Sequence, residues 1–470
     1  MKAERNSAAG LPEGAEDALR SAVGADALLT DPADRWTYGY DNSRAQALPG
    51  AVAMPADTLA VQALVAACRR FGLPLTARGR GTATTGAAVP EEGGICLSTE
   101  RMNRVLRVDA ANRVAVVQPG VTNAALQAAV AQAGFFWAPD PSSADYCSVG
   151  GNLACNAAGP RALKYGTPRD NTLGLEVVTG AAEIIRCGSY TTKGVVGLDL
   201  TRLVIGSEGL LAIITEATLK LTPLPERIAT LRAVYADVRA AAAAVSRIMA
   251  QPVTPRVLEF LDGAALELVR EGDPLGLPAG AGALLMIEAD GLAEHLPGAI
   301  GALQRAAAGD GLLQWRAASD EAEATALWAA RKALSPALRS LAPKKINEDV
   351  VVPVSRIPEL TDGLARLAQA HRVKIVSFGH AGNGNLHVNV LGEEADLERM
   401  RACVNEVFRL VLSLQGSLSG EHGIGRHKRD FVALEIGPEA LELMRRLKAV
   451  FDPDGILNPG KVLPEATARR

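Results

Sequence analysis

The sequence is poor in the cysteine patterns that build metal clusters or disulfide frameworks. It contains six cysteines, and no two of them form a CxxC pair. Disulfides, structural zinc and iron–sulfur ligation are therefore not expected. We predict that the six are small, buried hydrophobic residues. They are Cys68, Cys96, Cys147, Cys155, Cys187 and Cys403.

The chain also lacks an excess of one charge and any long uninterrupted apolar run. Its formal net charge is -3 and its pI is about 6.2, which gives no basic surface for nucleic acid. The first residues, Met1–Asn6, are polar, unlike a signal peptide. The alanine-rich stretch 233–250 is interrupted by Asp237, Arg239 and Arg247, which indicates an ordinary helix and not a membrane span. We expect a cytoplasmic protein, with peripheral attachment at the inner membrane left open.

The length of 470 residues suits two or three domains. A boundary is predicted at Thr222-Pro223-Leu224-Pro225, where prolines interrupt the pattern. From about residue 228, strands alternate with helices. This order predicts an α+β fold with an antiparallel, ferredoxin-like sheet.

Three segments have clear helical periodicity. The first is 58–71, capped by Asp57, with Leu59, Ala63, Ala66 and Ala67 as its apolar stripe. The second is a single amphipathic helix over 430–450.

The third helix, 321–341, carries Trp328, Arg331 and Ser335 on one face. Lys344 and Lys345 follow it and are either an exposed basic helix end or functional residues.

Histidine is scarce, and its distribution is uneven. Four of the six histidines lie in or just after the segments GHAGNGNLH and SGEHGIG; they are His380, His387, His422 and His427. Segments 374–378 and 386–391 are predicted strands, with His387 and Asn389 on one face. Two imidazoles near a hairpin mouth plus Glu421 would form a set of two histidines and one acid that suits a divalent metal. The alternative is a glycine-rich hairpin whose histidines only cap its strands.

Two segments are dense in small residues: RGRGTATTG at 78–86 and SVGGNLACNAAG at 148–159. Each allows backbone N–H groups to converge on an anion. Neither matches the Walker or Rossmann pattern. The alternative for the second, together with the preceding PDPSS at 139–143, is one long flexible loop, although loops of this length in a compact region are usually functional. Two such loops together favour a large cofactor that contains a diphosphate.

The order of several motifs resembles the flavin-dependent D-2-hydroxy acid dehydrogenases of the vanillyl-alcohol oxidase-like flavoprotein superfamily. The resemblance spans residues 50–463. Its motifs are RGRGT, PDPSS, SVGGNLACNAAG, LKYGTPRD, GLDLTRLVIGSEG, EDVVVP, GHAGNGNLH, SGEHGIG and FDPDGILNPGK.

The resemblance implies a two-part FAD-binding domain at 1–225, a cap domain with the substrate and metal site at 226–425, and a segment at 426–470 that returns to the FAD domain. The first glycine loop has no histidine to tether flavin, so FAD is expected to bind non-covalently. The implied cofactor-binding residues are Gly79, Arg80, Gly81, Thr82, Gly86, Ser142, Gly150, Gly151, Asn152, Asn156, Gly159, Ile214 and Asn458.

The resemblance also implies a role for each residue of the catalytic site. His380, His387 and Glu421 match the ligands of a divalent metal, zinc or manganese. His422 matches the catalytic base, and Arg331 matches the arginine that binds the substrate carboxylate. Asn383 stands where relatives commonly have Asp.

The implied reaction is oxidation of a D-2-hydroxy acid to the 2-oxo acid, with D-lactate or glycolate favoured and D-2-hydroxyglutarate as an alternative. The electron acceptor, a quinone, cytochrome, electron-transfer flavoprotein or oxygen, is left open, and a homodimer is one assembly allowed. Two other functions are alternatives: a metal-dependent hydrolase without flavin, and a regulatory subunit that binds FAD but catalyses no reaction.

Overall fold

Residues 10–91, 93–270 and 275–465 are described by the computed structural model, and the polar segment Met1–Asn6 lies outside them. The chain packs as two units. The first contains the described parts of Met1–Ala158, Gly166–Leu224 and Glu421–Arg470. The second contains Gly159–Tyr165 and Pro225–Gly420.

The helices and strands have the following bounds. The helices are α1 (Ala15–Val23), α2 (Pro32–Trp36), α3 (Thr58–Phe71), α4 (Asn123–Ala131), α5 (Val149–Cys155), α6 (Ala162–Tyr165), α7 (Leu200–Val204), α8 (Val238–Met249), α9 (Gly263–Val269), α10 (Leu296–Ala307), α11 (Glu321–Leu341), α12 (Ile357–His371), α13 (Leu397–Ser413), α14 (Val432–Glu435) and α15 (Pro438–Phe451). The strands are β1 (Leu28–Leu29), β2 (Ala51–Ala53), β3 (Leu75–Arg78), β4 (Ile95–Ser98), β5 (Val105–Asp109), β6 (Val114–Val117), β7 (Phe135–Phe136), β8 (Thr172–Thr179), β9 (Ile184–Gly188), β10 (Ala212–Lys220), β11 (Thr222–Pro223), β12 (Arg227–Tyr235), β13 (Val257–Leu261), β14 (Ala283–Gly291), β15 (Leu312–Ala317), β16 (Lys344–Val351), β17 (Lys374–His380) and β18 (Asn385–Gly392).

The first unit contains two larger sheets. The four-stranded sheet has the order β1-β2-β4-β3, with β4 parallel to both β2 and β3. The five-stranded sheet has the order β5-β6-β10-β8-β9 and is antiparallel. Each sheet has its own hydrophobic core.

Helix α3 has the predicted bounds, and the Asp57 side chain caps it by accepting the N–H of Ala60 at 2.9 Å. The predicted apolar stripe was wrong except at Ala67, which is buried. Leu59 is 68% exposed, whereas Val61, Leu64, Val65, Ala67 and Cys68 are buried. The stripe chosen from the sequence followed alanines, which burial does not favour strongly, and missed the larger aliphatic residues.

The segment 148–159 is not one long loop. Residues 149–155 form helix α5, because Ser148 accepts the N–H of Gly151 at 3.2 Å and so caps its first turn. Asn156 ends the helix in the left-handed conformation, with φ 54°.

The single helix predicted over 430–450 was also wrong in part. Helix α14 ends at Glu435 and α15 begins at Pro438. Pro438 has no N–H to continue a helix and is suited to a first turn. Further on, Leu457 forms a parallel bridge with Leu75.

The second unit is built on a seven-stranded sheet of order β15-β12-β14-β13-β17-β18-β16. Every pair in it is antiparallel. This sheet confirms the predicted α+β fold. Helix α11 contributes Leu327, Leu334 and Leu338 to the core on one face of the sheet.

Lys344 and Lys345 belong to strand β16, so the reading of an exposed basic helix end was wrong. Ala342, with extended dihedrals, ends α11 two residues earlier. Four of the six cysteines are buried, as predicted; Cys155 and Cys187 are only partly buried. Within the described ranges, no helix combines the length and apolarity needed to cross a membrane.

Candidate active site

The hairpin β17–β18 brings two of the predicted metal ligands together. Its register pairs Phe378 with His387 and His380 with Asn385. The ring centroids of His380 and His387 are 5.3 Å apart, with an angle of 86° between the rings. Both histidines are buried, at 8% exposure.

The turn between these strands depends on Gly384. Its φ is +74°, and a β-carbon there would lie 1.8 Å from the carbonyl oxygen of Val352. The Val352 N–H donates to the Gly384 carbonyl at 3.0 Å. Glycine is therefore required at this position both by conformation and by space.

A buried carboxylate that the sequence analysis did not single out lies beside the hairpin. Glu259, on β13, contacts Nδ1 of His380 through Oε1 and accepts a 2.7 Å hydrogen bond from Nε of Arg331 through Oε2. Burial alone would raise the pKa of Glu259, but the charges of His380 and Arg331 and their hydrogen bonds lower it to about 2. Glu259 is therefore an ionised carboxylate between two basic groups.

A second carboxylate missed from the sequence, Asp349, lies on β16 opposite His387. It is fully buried, and its Oδ1 is 3.6 Å from Nδ1 of His387. It accepts hydrogen bonds from Asn385 Nδ2 at 2.6 Å, Ser419 Oγ at 3.2 Å and Gly420 N–H at 2.8 Å. Both imidazoles thus have a carboxylate beside them, an arrangement common around metal-binding histidines.

Helix α11 places its three predicted polar residues toward the sheet. Trp328 Nε1 donates to Glu288 at 2.6 Å, Arg331 reaches Glu259, and Lys345 Nζ donates to Ser335 Oγ at 3.4 Å. The guanidinium of Arg331 also lies 4.8 Å from the centroid of the Phe378 ring, within cation–π range.

In the first unit, the two small-residue segments are in contact. A β-carbon on Gly79 would lie 2.2 Å from Oγ of Ser148, and one on Gly81 would lie 2.2 Å from the Arg78 guanidinium. Gly81 also has φ +70°. A side chain on Gly79 would separate the two segments, so this glycine allows their backbones to approach each other. Gly81 instead leaves room for the Arg78 side chain of its own segment.

The other predicted cofactor residues differ in their surroundings. Gly150 packs against Pro119, Asn152 accepts from Asn123 Nδ2 at 3.2 Å, and Asn156 accepts the Arg169 N–H at 3.1 Å. Ser142 is exposed, and Ile214 is buried in the core of the five-stranded sheet.

The remaining members of the predicted set are Arg80, Thr82, Gly86, Gly151 and Gly159. Arg80 forms a 3.7 Å ion pair with Glu100, and Gly86 has φ +80° beside Arg426. Thr82 and Gly151 are partly exposed. Gly159 belongs to the second unit.

Asn458 has a polar atom suited to a ligand. Its Nδ2 donates to the carbonyl oxygens of Glu208 at 2.6 Å and Ala87 at 3.1 Å. Its Oδ1 is buried without a hydrogen-bond partner, as are the hydroxyl oxygens of Thr84 and Ser207. Such atoms are costly unless a ligand or water satisfies them. These three buried oxygens, together with the partly exposed backbone of the glycine segments, fit a cofactor as rich in polar atoms as FAD.

Glu421 and His422 follow Gly420 directly and open the last segment of the first unit. The backbone of this segment is held by Glu208, which accepts the N–H groups of Ile424 at 2.6 Å and Gly425 at 2.8 Å. The His422 carbonyl accepts from Thr85 Oγ1 at 3.4 Å.

Comparison with known proteins defines the class of this protein. Residues 49–188 match an FAD-binding domain, and residues 224–462 match the C-terminal domain of FAD-linked oxidases. The chain belongs to the FAD-linked oxidase family and is an FAD-dependent oxidoreductase. The family match confirms the prediction of a flavoprotein. It does not support the alternative prediction of a metal-dependent hydrolase without flavin.

Individual relatives cover almost the whole chain. It is 39% identical over 442 residues to glycolate oxidase subunit GlcD of Bacillus subtilis, covering 93% of this chain and 94% of the relative. It is 36% identical to D-lactate dehydrogenase of Archaeoglobus fulgidus, covering 91% and 95%. The solved structure of p-cresol methylhydroxylase is similar in fold, with a TM-score of 0.80 at 17% identity and 96% coverage of both chains.

Proposed function

We propose that this protein oxidises a D-2-hydroxy acid, D-lactate or glycolate first among them, to the corresponding 2-oxo acid. The names of its relatives support this substrate class. The observation that carries the proposal is the buried group in which Glu259 joins His380 to Arg331. It combines an imidazole able to bind a metal with an arginine able to bind a carboxylate. The assignment of 226–425 as the substrate domain stays a prediction.

The proposed metal ligands are His380, His387 and Glu421, and the proposed ion is zinc or manganese. The donor set supports a borderline or harder divalent ion, since it has two imidazoles and a carboxylate and no thiolate. The nearness of the two imidazoles, each with a carboxylate beside it, is a second support. When bound, such an ion acts as a Lewis acid on the substrate oxygens.

Arg331 is proposed to orient the substrate by binding its carboxylate. Its Nε is bound to Glu259, so the guanidinium edge formed by the two Nη groups would face the substrate. His422 is proposed to accept the proton of the substrate hydroxyl on a ring nitrogen. When bound, FAD would supply the acceptor for the hydride of the α carbon. The substrate thus loses one proton and one hydride and becomes a 2-oxo acid.

FAD is proposed to bind along the two small-residue segments of the first unit. Gly79, Gly81 and Gly150 would allow its diphosphate to approach the backbone, and Asn458 would offer its buried Oδ1. No histidine occurs in the segment 78–86, which supports non-covalent binding.

The test is an anaerobic titration of the purified, metal-replete protein followed by its visible spectrum. We expect D-lactate or glycolate to bleach the flavin band and L-lactate to leave it unchanged. D-2-Hydroxyglutarate is titrated in parallel. A flavin band that none of these acids bleaches would contradict the proposal.

A further inference from the structure

Glu259 occupies an unusual position for a carboxylate. It is in the middle of β13, where every residue is buried, and its side chain is 1% exposed. The strand register pairs Phe260 with Gly379 and so brings Glu259 alongside His380. A charged residue among Val257, Leu258, Phe260 and Leu261 is costly to bury and is retained only with close partners.

The two oxygens of Glu259 bind different partners. Oε1 contacts Nδ1 of His380, and Oε2 accepts from Nε of Arg331 at 2.7 Å. The buried ring of Phe378 lies beside the guanidinium, with its centroid 4.8 Å from the guanidinium carbon. One carboxylate therefore fixes the orientation of two side chains that come from different elements, β17 and α11.

This contact determines which atoms of the two partners can act on ligands. With Nδ1 of His380 directed at Glu259, a metal would be bound through Nε2, and the negative charge behind the ring makes the imidazole a stronger donor. With Nε of Arg331 bound, the guanidinium is held in one plane, which lowers the entropy lost when it binds a carboxylate.

We propose that Glu259 is a positioning residue that aligns the metal ligand His380 and the carboxylate-binding Arg331 at the same time. This inference rests on the proposed function, because it assumes the roles given there to His380 and Arg331. The binding of the metal and the binding of the substrate carboxylate would then depend on one shared residue. Neutralising Glu259 should therefore weaken the binding of both.

The main experiment is Glu259→Gln, which keeps the shape and removes the charge. Zinc affinity of the metal-free, FAD-containing protein is measured by competition with a chromophoric chelator, and KM and kcat are measured with the preferred acid. We expect metal affinity to fall by about 10- to 100-fold and KM to rise at saturating metal. Unchanged zinc affinity would overturn the inference.

Glu288→Gln is the matched control. Glu288 is also a buried carboxylate, lies on the neighbouring strand β14 and contacts α11 through Trp328. If Glu259 acts only through the stability of the sheet, both variants should lose zinc affinity in proportion to their loss in thermal unfolding temperature. We expect zinc affinity to fall only in Glu259→Gln.

The double variant Glu259→Gln with His380→Ala separates the inference from the proposed function. If Glu259 acts through His380, adding Glu259→Gln to His380→Ala should cause no further loss of zinc affinity. A His380→Ala variant that binds zinc as tightly as the wild type would contradict the proposed metal site itself. Should Glu259→Gln fail to fold, Glu259→Asp keeps the charge but is one methylene shorter; wild-type zinc affinity in that variant would contradict the inference.

Discussion

The backbone N–H of Gly420 donates to Oδ2 of Asp349 at 2.8 Å, one residue before Glu421. Asp349 also accepts from Ser419 and Asn385, so it ties residues 419 and 420 to strands β16 and β18 of the same unit. We expect Asp349→Asn to lower the free energy of unfolding by about 1.5–3 kcal/mol, because a hydrogen bond to a charged group is lost. Urea unfolding measures this change. Asp310→Asn, at an exposed position, is the control, and equal midpoints for the two variants would contradict the role of Asp349.

His422→Ala should retain FAD and metal but reduce flavin about 10²–10⁴-fold more slowly, because the group that accepts the hydroxyl proton is removed. Stopped-flow absorbance under anaerobic conditions measures the rate. His427→Ala is the control, since His427 lies in the same segment and is exposed. Reduction at nearly the wild-type rate in His422→Ala would remove His422 from the proposed role.

Arg331→Lys should raise KM by about 10- to 100-fold, because lysine keeps the charge but lacks the planar pair of donors that matches a carboxylate. The effect on kcat should be smaller, since the contact is made in the ground state as well as in the transition state. Steady-state kinetics measure both constants. Lys332→Ala, exposed on the same helix, should leave KM unchanged; a similar rise in both variants would contradict a direct contact of Arg331 with substrate.

Glu208 should make stability depend on pH in mildly acidic solution. Burial raises its pKa from 4.5 to about 6, despite the N–H groups of Ile424 and Gly425 and the charges of Lys428 and Lys461. Because the folded state binds this proton more tightly, the stabilisation is complete below about pH 4.5 and is lost as the pH rises through about 6. It amounts to about 2 kcal/mol, from 1.36 kcal/mol for each pH unit.

The measurement is urea unfolding of the wild type and Glu208→Gln between pH 4.5 and 7.5. The wild type should lose about 2 kcal/mol relative to the variant across this range. Glu439→Gln, which changes an exposed glutamate, is the control for the loss of a surface carboxylate. A constant difference for Glu208→Gln would show that this group does not titrate as described.

Gly384→Ala should abolish zinc binding and destabilise the protein, because its β-carbon would overlap the Val352 carbonyl. Gly280 is the matched control: its φ is also positive, at +77°, but no atom lies within 4 Å of an added β-carbon. Gly280→Ala should cost only the conformational penalty of about 1–2 kcal/mol. Thermal unfolding and zinc titration distinguish the two, and similar losses in both variants would contradict the steric explanation.

Much of the fold could be predicted because local signals agree with it. Asp57 before an apolar segment predicted helix α3, and the alternation of strands and helices after residue 228 predicted the antiparallel sheet. The errors have local causes as well. Alanine is apolar by count but contributes little to burial, so the face of α3 was misjudged, and the Gly437-Pro438 break in the last helix was overlooked.

The residues that organise the site were harder to find. Glu259 and His380 are separated by 121 positions, and only the sheet register shows that they are neighbours. One signal was nevertheless present: Glu259 is the single charged residue in an apolar strand, where burial demands a partner. Asp349 and Glu208 were equally hard to find, because each is a buried acid whose partners come from distant segments.

The bridge between Leu75 and Leu457 has a consequence for biosynthesis. The Leu75 N–H donates to Ile456 at 2.8 Å and its carbonyl accepts from Asn458 at 2.8 Å, so these two backbone groups of a strand made early on the ribosome are bound by residues made near the end. Residues 225–420 are translated in between and belong to the other unit. A nascent chain stopped at residue 450 would therefore leave both backbone groups of Leu75 without these partners, and the first unit would complete its packing after the second has been synthesised.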